Sequence, residues 1–292
     1  MNVTLACEPF AGPLAERLAA LAMRPGAGEV ALYWLGQAGF VIDFADRRIL
    51  IDPYLSDSLA VKYAGTRWPH QRMTPSPIEL EELGRPDLVL CTHRHTDHMD
   101  PETLGPLASS WTSLRFVVPA AVAEEARRRC HADDERLVLV DVGTDIEPLA
   151  GLRLRAIAAA HESLDTDQAG RHKWLGYVID VEGVRLYHSG DSIPYPGLVE
   201  AVRALAPDVA LLPVNGRDEV RRMNGMPGNF TLDEAVSLCR DAEVPVMIAH
   251  HHGLFDFNTI APETIDERAA IETGRGLRLL RARFGTCWRV RS

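Results

Sequence analysis

Thr92-His93-Arg94-His95-Thr96-Asp97-His98 follows directly on the apolar run Asp87-Leu88-Val89-Leu90-Cys91. It brings three imidazoles and a carboxylate into one short segment. Imidazole suits zinc and its borderline neighbours, and a carboxylate widens the choice to harder ions such as manganese. In an extended segment His93 and His95 project to the same side. A turn after them swings Asp97 and His98 toward a second position close by. Asp100-Pro101-Glu102 reads as an N-cap, a first-turn proline and a first-turn acid, so a helix is expected to begin there. The cluster is thus placed on a strand-to-helix loop. A polar loop that merely happens to be rich in histidine is the competing reading, and the rest of the chain argues against it.

Further donors follow later apolar runs. Residues 152–160 are rich in Leu, Ile and Ala and end at His161; residues 183–187 run into His188-Ser189-Gly190-Asp191; residues 244–249 end in His250-His251-His252-Gly253. Each set follows a predicted strand, as His93 does. An ordinary zinc takes about four ligands, and a catalytic one keeps a position open for water. Four strand ends converging on one edge therefore predict a site for more than one ion. Spacing alone leaves open whether His250 or His251 faces it.

These residues resemble the metallo-β-lactamase superfamily. His93-x-His95-x-Asp97-His98 is its signature, and His161, Asp191 and His251 fall at the positions of its later ligands. Residues 33–40 (YWLGQAGF) and 49–53 (ILIDP) look like its opening strands. Within the superfamily the chain is most similar to the L-ascorbate-6-phosphate lactonase-like branch, on residues 186–192 (LYHSGDS) and 251–257 (HHGLFDF). The resemblance runs from about Val30 to the C-terminus. One departure stands out: lactonases proper do not carry a histidine where this chain has His161.

The resemblance implies a four-layer αβ/βα sandwich with two divalent metal ions (zinc or manganese, with iron as a further candidate) in the cleft between the sheet edges. His93, His95 and His161 would hold the first ion, and Asp97, His98 and His251 the second. Asp191 would bridge them. A water activated between the ions would open a small lactone, with Asp97 or a water on the second ion returning the proton to the departing oxygen. For an anionic sugar-acid substrate, with or without a phosphate, the lactonase resemblance points to Lys173, Arg217, Arg221 and Arg222. His188 and His252 flank the ligands and are candidates for substrate contact or for purely structural hydrogen bonds. Asp52 is a candidate partner for a loop amide or a ligand histidine, or a simple turn former before Pro53. His70, His131 and His172 read as bystanders.

The residue pattern agrees with this fold class. Strands are expected at 30–35, 39–44, 48–51, 88–92, 115–118, 137–140, 152–160, 175–181, 184–188, 209–214, 245–248 and 286–289. Helices are expected at 13–23, 101–109, 120–129, 196–204, 232–239 and 262–272, and Thr231-x-x-Glu234 is a capping-box pattern. The interleaving favours one layered α/β domain over residues 1–292, with residues 1–27 as an N-terminal extension carrying a short helix. Any division of the chain would cut through the donor set. Residues 54–78 lack clear periodicity and are read as cleft wall or as a packed surface loop.

Composition narrows the partners. The net charge of −10 argues against a nucleic-acid surface, which usually shows a basic patch. No stretch reads as a signal peptide or membrane span. The five cysteines are scattered without ligand spacing, which fits reduced thiols in a cytoplasmic protein. Cys91, one residue before the first cluster, reads as a core thiol. A small-molecule substrate and a homo-oligomer are the partners expected. Three functions compete: a lactonase or related carbonyl hydrolase, a phosphodiesterase or nuclease, and a mononuclear iron oxygenase or non-catalytic metal-binding module.

Overall fold

The computed structural model describes residues 3–20 and 23–292. Seven strands come first: β1 (Thr4–Pro9), β2 (Glu29–Gly36), β3 (Gly39–Phe44), β4 (Arg47–Ile51), β5 (Leu88–Leu90), β6 (Arg115–Pro119) and β7 (Leu137–Val140). Seven more follow: β8 (Asp145–Leu149), β9 (Leu152–Ala158), β10 (Leu175–Val181), β11 (Val184–His188), β12 (Val209–Pro213), β13 (Val246–His250) and β14 (Arg278–Arg281). The last strand, β15 (Thr286–Arg291), returns to the first group. The result is an eight-stranded sheet ordered β1-β15-β2-β3-β4-β5-β6-β7 and a seven-stranded sheet ordered β14-β13-β12-β11-β10-β9-β8.

Alternation along β2 explains how the layers stack. Its residues are buried on both faces. Val30, Leu32 and Trp34 join Ile179, Leu186 and Leu211 in the core between the two sheets. Ala31, Tyr33 and Leu35 point the other way, toward a second core. That core packs the sheet against α1 (Leu14–Ala19), α3 (Pro101–Ser110) and α4 (Ala123–Cys130), after the short α2 (Ser58–Lys62). A third core joins the seven-stranded sheet to α5 (Leu198–Leu205), α7 (Leu232–Asp241) and α8 (Pro262–Glu272), with the short α6 (Glu219–Met223) at its rim. Three apolar layers between four structural layers make the expected αβ/βα sandwich. The expected capping box is formed at α7, where Thr231 and Glu234 exchange bonds with each other's backbone. Asp100 caps α3, accepting from the Glu102 amide.

Three strands escaped sequence reading: β1, β8 and β14. All three are sheet edges. An edge strand needs no continuous apolar run, and β8 even carries Pro148, which an edge tolerates. The first helix is shorter than expected, Leu14–Ala19, and Leu21 lies outside the described residues. The strand expected at 88–92 ends at Leu90, because the Thr92 amide leaves the ladder and donates to the Asp52 carboxylate. Among the described residues, no helix is long and apolar enough to cross a membrane.

Candidate metal centre

The four strand ends meet. One ligand atom each from His93, His95, His161 and Asp191 lies within 4.8 Å of the others, and the same holds for Asp97, His98 and His251. The first cluster occupies the loop between β5 and α3. His161 follows β9, Asp191 follows β11, and His251 follows β13.

Asp191 lies between the two groups. Its Oδ1 is 3.3 Å from His98 Nε2 and 3.5 Å from His251 Nε2, and its Oδ2 is 3.8 Å from His161 Nε2. His98 Nε2 and His251 Nε2 each stand 3.8 Å from Asp97 Oδ2. These separations are mostly too long for hydrogen bonds. Donors about 2.0–2.2 Å from a shared ion would stand about 3–4 Å apart. His93 Nε2, His98 Nε2, His251 Nε2 and Asp191 Oδ1 are all buried, and none has a hydrogen-bond partner among the described residues. Orphaned buried donors and acceptors on this scale are costly unless something satisfies them. The chemistry of the set, imidazole and carboxylate, fits divalent metal ions.

A layer of hydrogen bonds aims these side chains. Thr92 Oγ1 donates to Asp52 Oδ2 at 2.6 Å, so its oxygen is left to accept from His93 Nδ1 at 3.0 Å. That fixes the tautomer and presents His93 Nε2 to the site. Asp52 Oδ2 also accepts from His98 Nδ1 at 2.7 Å, and Asp52 Oδ1 accepts from the Thr92 amide at 2.8 Å. Asp52 therefore holds both a loop amide and a ligand-set histidine. Gln37 Nε2 donates to Asp97 Oδ2 at 2.8 Å, while Gln37 O accepts from Trp34 Nε1 and from the His251 amide. The turn between β2 and β3 thus ties the first cluster to the last. Gly190 makes the turn into Asp191 at φ +60°, where an added Cβ would stand 2.6 Å from Leu175 O and 2.9 Å from Thr92 Cβ. No other residue fits there.

Electrostatics separate the imidazoles. Burial drives His93 well below its usual range, and burial together with His161 takes His95 down to about 3. Burial opposes charge on His98 too, but the carboxylates of Asp191, Asp52 and Asp97 override it and raise its pKa well above the usual value. Burial works against ionised Asp191, yet His98 and His251 hold it well below the usual carboxylate range. Without an ion, one buried positive charge on His98 offsets the acids. A divalent ion supplies that charge instead and takes the deprotonated nitrogens.

Other expectations are corrected. His250 turns away: it is fully buried, stacks on His188 with ring centroids 5.0 Å apart, and meets Phe40 edge-on. His188 is wholly buried, accepting from the Gly190 amide and donating to Ala38 O, so it shapes the Asp191 turn and touches no substrate. His252 is also buried and packs on Trp34. The cations expected to meet substrate are engaged elsewhere. Arg217 forks onto Glu234, Arg221 pairs with Asp218, Arg222 pairs with Glu219, and Lys173 faces Asp165; none of the four lines the cleft over the cluster. That cleft is about 600 Å³. Lys62 and Arg94 line it, as do Tyr63, Trp68, His70, Phe255 and Phe257. Of residues 54–78, the part from Leu59 to His70 supplies cleft wall while Thr74 to Pro77 line a separate cavity, and His70 is no bystander. His131 packs against α3 at Gly105, and His172 bonds Asp141.

Two neighbours were missed. Gln37 was visible only as part of the resemblance. Trp174 lies against three imidazoles, its ring 4.7 Å from His93, 4.9 Å from His95 and 5.1 Å from His161. Its sole signal was a tryptophan immediately before a strand. Cys91 is buried in the second core, and all five cysteines are free.

Comparison with known proteins agrees with this geometry. The family described as Beta-lactamase superfamily domain matches residues 47–252. A metal-dependent hydrolase of Thermoplasma acidophilum is 29% identical over 240 residues, covering 80% of this chain and 87% of its own. The fold is similar to that of a metallo hydrolase from Ignicoccus hospitalis, with TM-score 0.67, 20% identity, and 90% and 99% of the two chains covered. It is equally similar to a diiron β-hydroxylase from Streptomyces venezuelae, with TM-score 0.66, 16% identity, and 92% of this chain and 55% of that chain covered. One architecture thus carries differently named chemistries, so the fold alone does not choose among them.

Proposed function

The chain belongs to the metallo-β-lactamase superfamily and is a metal-dependent hydrolase; from that premise we propose that its cleft opens a lactone or a closely related carbonyl ester. The observation that carries the reading is Asp191, whose two carboxylate oxygens face two separate donor groups. A carboxylate so shared suits a pair of ions. His93, His95 and His161 would hold one, Asp97, His98 and His251 the other, and Asp191 both. Bound divalent ions supply a water acidic enough to ionise near neutral pH and positive charge to polarise a carbonyl.

The chain's own residues do the rest. Trp174 covers the His93, His95 and His161 rings and excludes water from that side. Asp97 lies on the cleft with Oδ2 steadied by Gln37, and it would take the proton lost by the attacking water and pass it to the departing oxygen. The cations that line the cleft are Lys62, Arg94, Arg128 and Arg129, so charge to meet an anionic or phosphorylated substrate would come from them and not from Arg217, Arg221, Arg222 or Lys173, which are paired away from it. Phosphodiester cleavage of nucleic acid is disfavoured by the net charge of −10.

The test has two arms. Metal analysis of purified protein should return about two ions per chain. A lactone panel assayed beside bis(p-nitrophenyl) phosphate should show lactone opening well above phosphodiester turnover. A single iron per chain, with activity indifferent to His98→Ala, would overturn the two-ion centre. Phosphodiester turnover without lactone opening would overturn the substrate class.

A further inference from the structure

The cleft has an unusual wall. Tyr63, Trp68, His70 and Phe257 are only partly buried, although each exposes aromatic surface. Behind them, Tyr54 and Phe255 are fully buried in a small apolar core. The front rings form a connected array: His70 stacks on Tyr63 at 4.2 Å and meets Phe257 edge-on at 4.8 Å, and Trp68 lies 5.2 Å from Phe257. A soluble protein seldom leaves contiguous aromatic surface open without a use for it.

The array is also held in place. His70 donates from Nδ1 to Trp68 O at 2.6 Å, which locks the ring and fixes its tautomer. Burial lowers the His70 pKa, against the pull of Asp97 and with the help of Lys62, so the ring stays uncharged at neutral pH and presents an apolar face. The Arg67 guanidinium covers Trp68 at 4.9 Å, and Lys62 Nζ covers Tyr63 at 5.0 Å. His95, Asp97, His161, Asp191 and His251 line the same cleft, so a molecule on the wall has its reacting group beside the donor set.

We propose that the substrate carries a flat apolar group, an aromatic or unsaturated ring, which lies on Tyr63, Trp68, His70 and Phe257 while its ester carbonyl faces the donor cluster. This rests on the carbonyl-hydrolase reading above and gives it a substrate class. The chemistry of recognition is stacking and apolar burial, with no phosphate required. Tyr63, Trp68, His70 and Phe257 determine specificity, and none of them takes part in the bond changes.

The test compares two lactones that differ only in the substituent on the β carbon, β-phenyl- and β-methyl-γ-butyrolactone, with the metal-loaded enzyme. Wild type should prefer the phenyl lactone by about tenfold or more in kcat/KM. Trp68→Leu and Phe257→Leu, chosen to keep apolar volume, should bring that ratio close to one, with metal content and melting temperature unchanged. A separate calorimetric arm titrates 3-phenylbutanoate and butanoate, which need no turnover; the phenyl acid should bind about tenfold tighter, and Trp68→Leu should remove the difference. If neither lactone opens but the calorimetric preference holds, the hydrolytic reading fails and the wall stands. Equal turnover of the two lactones by wild type, or a preference that survives both variants, overturns the wall.

Discussion

The floor and the wall of the cleft are built by opposite means. The floor consists of seven side chains at four strand ends, five of them buried, and three are steered by a second residue: His93 by Thr92, His98 by Asp52 and Asp97 by Gln37. The wall consists of rings on two loops, partly open, steered mainly by one another and backed by Tyr54 and Phe255. A site that must hold charge needs fixed polar partners, because an unpaired buried ion or imidazole is costly. A surface that only stacks needs shape alone. Changes to the floor should therefore move metal content, and changes to the wall should move substrate choice.

The sharpest way to break that division is Asp191→Ala. It removes the one carboxylate that both donor groups share, and the Nε2 atoms of His98 and His251 lose their nearest carboxylate. Both ions should bind weakly, and activity should fall by more than about 100-fold, since even outer hydrogen-bond partners of metal ligands cost 10–100-fold. Metal analysis after dialysis checks this. Full occupancy in the variant would mean that Asp191 is not shared.

Asp52→Ala comes next. The variant leaves the Thr92 amide and His98 Nδ1 without their partner in a fully buried place. Metal affinity should drop by about 10–100-fold, with stability falling by about 1–3 kcal/mol for the unsatisfied group. Titration of the apo protein with zinc reads the first, and chemical denaturation the second. A variant with unchanged zinc affinity would reduce Asp52 to a turn former.

The same contrast explains what sequence could disclose. Strand-end donors were legible because each stands at the end of an apolar run and metal chemistry restricts it to His or Asp. His93, His161, Asp191 and His251 needed only that logic, while the choice of His251 over His250 needed the backbone, where His251 adopts φ 63° and turns toward Asp97. The wall offered no such signal. Trp68 and His70 lie in a stretch without periodicity, and their meeting with Phe255 and Phe257 spans about two-thirds of the chain. The expected anion-binding arginines failed for a similar reason. Arg221 and Arg222 sit one helical turn from Asp218 and Glu219, and a local ion pair engages them first. Edge strands β1, β8 and β14 were invisible because their pairing, and not their composition, makes them strands.

Acid should expose the floor before the wall. His252 lies behind the floor, its ring 5.0 Å from Trp34, and burial, with Arg281 nearby, lowers its pKa from 6.5 to about 4. Below pH 6.5 the unfolded chain takes up a proton that the folded chain refuses until about pH 4. Stability from this group is thus complete above 6.5 and is lost as pH falls from there toward 4. The loss is on the order of 3 kcal/mol. His252→Phe keeps a ring against Trp34 and cannot titrate, so urea denaturation of the metal-free variant should show a shallower decline over that window. An identical pH slope in the two proteins would remove His252 from the account.

Phe257→Ala gives the smallest change, and it tests the wall by what it leaves alone. Phe257 is partly exposed, and its ring contacts are with Trp68, His70 and Phe255. Truncating a fully buried phenylalanine costs about 3–5 kcal/mol; here part of that surface already meets water, so the loss should be about 1 kcal/mol. Metal content should not change, because no atom of Phe257 bonds to a donor or to the residues that aim one. Denaturation and metal analysis on the same preparation measure both. If the variant sheds metal as readily as Asp52→Ala, then floor and wall are one mechanical unit, and the rings steer the donors as well as the substrate.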